Sequence, residues 1–85
     1  ESQQYCSKDF EGEFEIASLT GNVSLVDGAP WPHIHIVLSG TDYQAFGGHL
    51  ASGRVSVTCE VIIDVSDTTI ERELDAETGL KLWHL

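Results

Sequence analysis

Cationic side chains are scarce in this sequence. Lys8, Arg54, Arg72 and Lys81 are the only four, against fourteen carboxylates, for a formal charge of −10. A protein that grips DNA through its phosphates needs clustered Lys or Arg. These four lie far apart, with acidic residues beside most of them, so the composition argues against direct nucleic-acid contact. The same charge favours cation uptake, although most of it reads as a solvated face that keeps a small protein soluble. Long apolar runs are also missing: no stretch approaches the roughly 20 residues that cross a bilayer. Nothing has the layout of a signal peptide. A cytoplasmic, membrane-free location is the expectation, although a chain that starts mid-sequence can have lost a leader.

Cysteine is scarce. Cys6 and Cys59 form neither a CxxC pair nor a disulfide-dense framework. Cys59 stands in VSVTCEVIIDV on the side of Val55, Val57, Val61 and Ile63, which reads as a small buried hydrophobe. Internal repeats, low-complexity tracts and linkers are absent too. The 85 residues therefore read as one domain, 1–85, near the lower end of what folds unaided. Asn22-Val23-Ser24 fits a glycosylation sequon, a triplet common by chance.

What the chain does have is period-2 alternation nearly throughout, the mark of half-buried strands. GEFEIASL sets Phe14 and Ile16 against Glu13 and Glu15, and GNVSLVDG follows after Gly21. DGAPWP is a turn signal ahead of HIHIVLS. There Ile34, Ile36 and Leu38 point one way, and His33, His35 and Val37 the other. SGTDYQ reads as a hairpin loop into AFGGHL, and ASGR as the next loop. Residues 55–65 read as the longest strand, with Ser56, Thr58, Glu60 and Asp64 opposite its apolar face. IERELD reads as a final strand, and AETGL as a turn closed by Gly79. No segment has the 3.6-residue pattern of an amphipathic helix. Five or six short antiparallel strands still need something to cover their apolar face. Strands of other subunits or a helical segment absent from the chain would serve.

The chemistry concentrates on three histidines. Same-face neighbours in a strand lie about 6.5 Å apart, so His33 and His35 can converge on one ion. H-x-H alone is also compatible with plain packing. Gly47-Gly48-His49 supplies a third ring, one hairpin later. Its two glycines permit unusual backbone angles or close approach. Three rings on two adjacent strands, without a fourth protein ligand, resemble an open three-His site; the bland alternative is that His49 caps its loop and binds water. Glu60 is a candidate acceptor for an imidazole N–H, or a base acting on metal-bound water, or simply a solvated carboxylate. His84 reads as a surface or interface residue, and Trp31 and Trp83 as core or interface aromatics. Arg72, on an apolar face between Ile70 and Leu74, calls for a carboxylate partner.

GEFEIASLTGNVS, PHIHIVLSG, AFGGHL, VTCEVIIDV and DAETGL together resemble, in order, the motifs of the plants and prokaryotes conserved (PPC) domain. The likeness runs over residues 12–82 and is to the prokaryotic branch, whose form carries P-H-x-H and G-G-H. The resemblance implies an α+β fold: a largely antiparallel sheet with a packed helix, assembled as a homotrimer. It also implies zinc or another divalent transition metal on His33, His35 and His49. The family's N-terminal strand and helix have no counterpart here: either the chain is partial or that segment was not seen, and such a helix is what the family would supply to cover the sheet. Family members are commonly labelled DNA-binding, after plant relatives with AT-hooks. This chain has no R-G-R-P core in a basic setting, and its charge speaks against carrying the label over.

Three functions are therefore expected in competition. The first is a metal-binding regulatory protein whose ion is either structural or holds a small anionic ligand in its open position. The second is a metal-dependent enzyme acting through an activated water. The third is a DNA-associated regulatory module.

Overall fold

The computed structural model describes residues 7–85. Five strands form one sheet: β1 Glu15–Val26, β2 Ala29–Ser39, β3 Ala45–His49, β4 Glu71–Leu74 and β5 Lys81–His84. Their order across the sheet is β3-β2-β1-β4-β5. Every neighbouring pair is antiparallel except β1 and β4, which are parallel. The described residues are thus all-β, as their period-2 alternation dictates, and the packed helix implied by the resemblance is not among them.

β1 and β2 make the backbone of the sheet, joined at Asp27-Gly28. Both turn residues have positive φ, 51° and 79°, the conformation that a two-residue hairpin loop requires to match strand twist. This turn is tighter than the sequence suggests. Ala29 already pairs with Val26, so the segment through Pro32 belongs to β2. The two prolines are compatible with a strand because of their position. Backbone N–H groups alternate in direction along a strand. Pro30 and Pro32, opposite Leu25 and Val23, therefore put their missing donors on the same outward edge. β3 covers β2 only from His35 to Ser39, so no ladder bond is lost there. β1 is continuous through Gly21, which sits opposite Ile34, and a bulge between Ile16 and Ser18 is its one irregularity.

The loop before β3 closes with Tyr43 N–H on the Gly40 carbonyl and Gln44 N–H on the Asp42 carboxylate, each at 3.1 Å. The β4–β5 turn is built on Asp75. Its carboxylate accepts from the Thr78 backbone and hydroxyl at 3.0 and 2.7 Å, and Gly79 closes it with a φ of 74°. β5 lies beyond IERELD, which the sequence suggests as the final strand.

The largest departure concerns residues 55–65, expected as the longest strand. They form no strand, and Val57, Ile62 and Val65 are about nine-tenths exposed (90%, 93% and 89%). Alternation makes a segment able to form a strand, but a strand exists only when its N–H and C=O groups find a ladder. None of the described residues provides one. Cys59, expected to be buried in that strand, is consequently exposed. Cys6 lies outside the described residues.

The sheet has two unlike faces. Residues paired across a ladder share a face. Leu19, Val23 and Leu25 of β1, Ile34, Ile36 and Leu38 of β2, and Phe46 of β3 therefore line one side. At its end Phe46 stacks on Phe10 at 4.7 Å, with Phe14 edge-on to both. The opposite side carries Thr20, Asn22, Ser24, Trp31 and the three histidines, continued by Arg72, Lys81 and Trp83. No apolar residue among those described is buried. The chain exposes 7933 Å², against about 5,000 Å² for a compact monomer of 9.3 kDa. Its radius of gyration is 15.4 Å, where about 12 Å is usual for this length. The apolar face is built but not covered.

Candidate metal centre

The register of two hairpins assembles the site. His33 and His35 alternate onto the polar face of β2, and the β2–β3 pairing sets His49 directly opposite His35. This is the adjacency expected from the hairpin between them. Gly47 stands where space is tight: a Cβ there would lie 3.0 Å from the Ile36 carbonyl oxygen and 3.3 Å from a Val37 methyl. Gly48 has open space instead, so only Gly47 stands at a close approach of the two strands.

The three rings meet edge to face. Their centroids are 5.2 Å apart for His33 and His35, 5.1 Å for His33 and His49, and 4.4 Å for His35 and His49. The interplanar angles are 79°, 77° and 83°. One nitrogen from each ring lies within 4.8 Å of the others. A tetrahedral ion bound at about 2.0–2.1 Å would bring such nitrogens to about 3.4 Å, a closure that small side-chain rotations supply. Three imidazoles are a suitable donor set for a borderline-soft divalent ion.

Arg72 is the residue whose role the sequence did not reveal. A carboxylate partner was expected, and none of the described carboxylates pairs with it. Instead Nε donates to Ser24 Oγ at 2.9 Å, Nη1 to the Lys81 carbonyl at 2.9 Å and Nη2 to Asn22 Oδ1 at 3.2 Å. Nη2 also lies 3.3 Å from His33 Nδ1. Ser24, 5% exposed, is the one buried residue among those described, so the best-protected point of the sheet lies under this guanidinium. Arg72 further packs over Trp83 at 5.7 Å, and Lys81 over Trp31 at 4.2 Å. Counting back from the Asp27-Gly28 turn would have placed Ser24 and Asn22 on the histidine face. The parallel β1–β4 pairing that delivers Arg72 has no local signal.

Burial depresses the pKa of His33 below the ordinary imidazole value, and the Arg72 guanidinium and the rings of His49 and His35 act in the same direction. All disfavour a protonated ring.

The other candidates stand elsewhere. Glu60 lies in the irregular, exposed segment and is outside the ring cluster. His84 is on β5, its Nδ1 3.3 Å from Glu73 Oε2.

The profile of the Plants and Prokaryotes Conserved (PCC) domain, the same family under its other abbreviation, matches residues 1–67. The chain belongs to this family. Its PCC segment includes β1, β2, β3 and all three histidines, while Arg72 lies beyond the match. Among solved structures, the chain is similar to a protein of Bacteroides thetaiotaomicron described as a "putative dna binding protein". The two are 31% identical, with a TM-score of 0.84 over 88% of this chain. This PCC chain spans 54% of that protein's length. No curated protein matches it.

Proposed function

We propose that this PCC domain holds a divalent transition metal, zinc before others, on His33, His35 and His49, with one coordination position left to a small anion. The observation that carries the reading is the convergence of three ring nitrogens to within 4.8 Å on a face whose nearest charged side chain is Arg72. When bound, the ion supplies a +2 centre that neutral imidazoles leave uncompensated. The chain's own part is to hold three ring nitrogens in place. The test is elemental analysis of full-length protein purified without nickel resin. One equivalent of metal is expected, with a lower melting temperature on chelation. Metal-free protein whose melting ignores chelators would defeat the proposal.

We further propose that the apolar face is covered in the assembled protein, by a packed helix and by neighbouring subunits of a homotrimer. The support is the excess of about 2,900 Å² of exposed surface over a compact monomer of this mass. Light scattering of the full-length protein tests it; a monomer would refute the trimer.

A hydrolytic reading with Glu60 as base gains no support from its exposed position away from the rings. The description of the Bacteroides protein favours a DNA-associated role, and the charge of −10 favours docking to another regulatory protein over contact with phosphates. A gel shift at physiological salt separates these: retarded DNA at micromolar protein would restore direct contact.

A further inference from the structure

We propose that Arg72 and the metal ion compete for His33, and that metal binding transfers an Arg72 N–H to a small carboxylate seated at the ion. This rests on the three-histidine reading. A guanidinium has only donors, so at 3.3 Å from Arg72 Nη2 the Nδ1 of His33 is the acceptor, and in the neutral ring the proton sits on Nε2. Metal-ligating histidines ordinarily have the opposite surroundings, a carboxylate or carbonyl that accepts the second ring N–H. Here an ion has two routes. Binding at Nδ1 takes the lone pair that Arg72 uses. Binding at Nε2 moves that nitrogen's proton through solvent to Nδ1, where it faces another N–H. Either route breaks the contact between Arg72 and His33.

Arg72 does not leave when this happens. Its bonds to Ser24 Oγ and the Lys81 carbonyl, both 2.9 Å, and to Asn22 Oδ1 hold the guanidinium in place beside the ring. The released Nη2 hydrogen then lies next to a divalent ion with an open position. A carboxylate, one oxygen on the metal and one accepting from Nη2, satisfies both. The ion and the anion thus bind with positive coupling, because each removes the obstacle the other meets.

Three measurements on the full-length protein test this. In metal-free protein at pH 8, long-range proton–nitrogen correlation NMR of the His33 ring is expected to show the Nε2–H tautomer; Nδ1–H overturns the proposal without any variant. Cobalt(II) titration followed by visible absorption is expected to give a Kd about 10-fold lower in Arg72→Gln than in wild type, the effect of removing a charge-assisted hydrogen bond. An unchanged or higher Kd with native circular dichroism overturns the competition. Acetate added to cobalt-loaded protein is expected to shift the spectrum saturably, with about 10-fold weaker affinity in Arg72→Gln. Equal affinities overturn the carboxylate role. Wild-type protein that takes up no cobalt is a separate result, which removes the metal centre itself and this inference with it.

Discussion

Replacing Gly21 by alanine puts a methyl group where the sheet has no room. The added Cβ would lie 2.2 Å from the His33 carbonyl oxygen, 2.7 Å from Ile34 Cα and 3.0 Å from Ile34 Cγ1. The first two obstacles are backbone atoms of β2, so rotating a side chain cannot relieve the clash. Ordinary contact requires β1 and β2 to separate by about 1 Å at this point, in the middle of their ladder. Overpacking of this kind costs about 1–3 kcal/mol, and the backbone character of the clash places Gly21→Ala near the upper end. At roughly 4–8 °C per kcal/mol for a domain of this size, the expected fall in Tm is on the order of 10 °C or more. The displaced strand also carries His33, so metal affinity drops in parallel. Gly48→Ala is the matched control: nothing lies within 4 Å of its Cβ and its φ is not positive. It should be neutral or stabilising by up to about 1 kcal/mol. Thermal melting and metal titration of both variants in the full-length protein provide the measurement. A Gly21→Ala protein that melts with wild type and binds metal equally would refute the reasoning.

Alanine at His33, His35 or His49 should each weaken zinc by more than about 100-fold, beyond the 10–100-fold cost of losing an outer-shell partner; calorimetric titration with three similar losses is the expected pattern. Glu60→Gln should leave zinc affinity within about 2-fold of wild type, since this carboxylate is outside the ring cluster, and the same titration reads it. Acid should destabilise the metal-free protein in a particular window. His33 titrates below its ordinary value in the folded state, so the unfolded chain takes up the proton first. Its contribution is then complete above the unfolded value of 6.5 and is lost as the pH falls from there through the folded value. Melting temperatures recorded from pH 8 to pH 5 should therefore fall more steeply in wild type than in His33→Gln.

Much of the site could be read from the order of residues because it depends on local geometry. H-x-H on an alternating strand fixes two rings, and one short hairpin brings His49 opposite His35. The rest depends on pairings that no local pattern specifies. The single parallel contact, Leu25 with Glu71, brings Arg72 across from a segment about fifty positions away. Its partners are accordingly a hydroxyl, a side-chain amide, a backbone carbonyl and an imidazole instead of the expected carboxylate. Residues 55–65 show the converse: Val55, Val57, Val61 and Ile63 alternate well enough to form a strand, yet alternation supplies no neighbour to hydrogen-bond with. Cys59 inherits its exposure from that lack.

Pro30 and Pro32 have a consequence for association. A sheet with one uncovered apolar face is at risk of adding foreign strands along its edges and growing without limit. Along β2 beyond the end of β3, the open edge offers two ring methylenes in place of two N–H donors, so an incoming strand finds no continuous ladder there. The prolines thus act as gatekeepers: they deny an incoming strand its donors along this stretch of β2, and they leave the margin of the sheet nearest His33 open to water and to a dissolved ion.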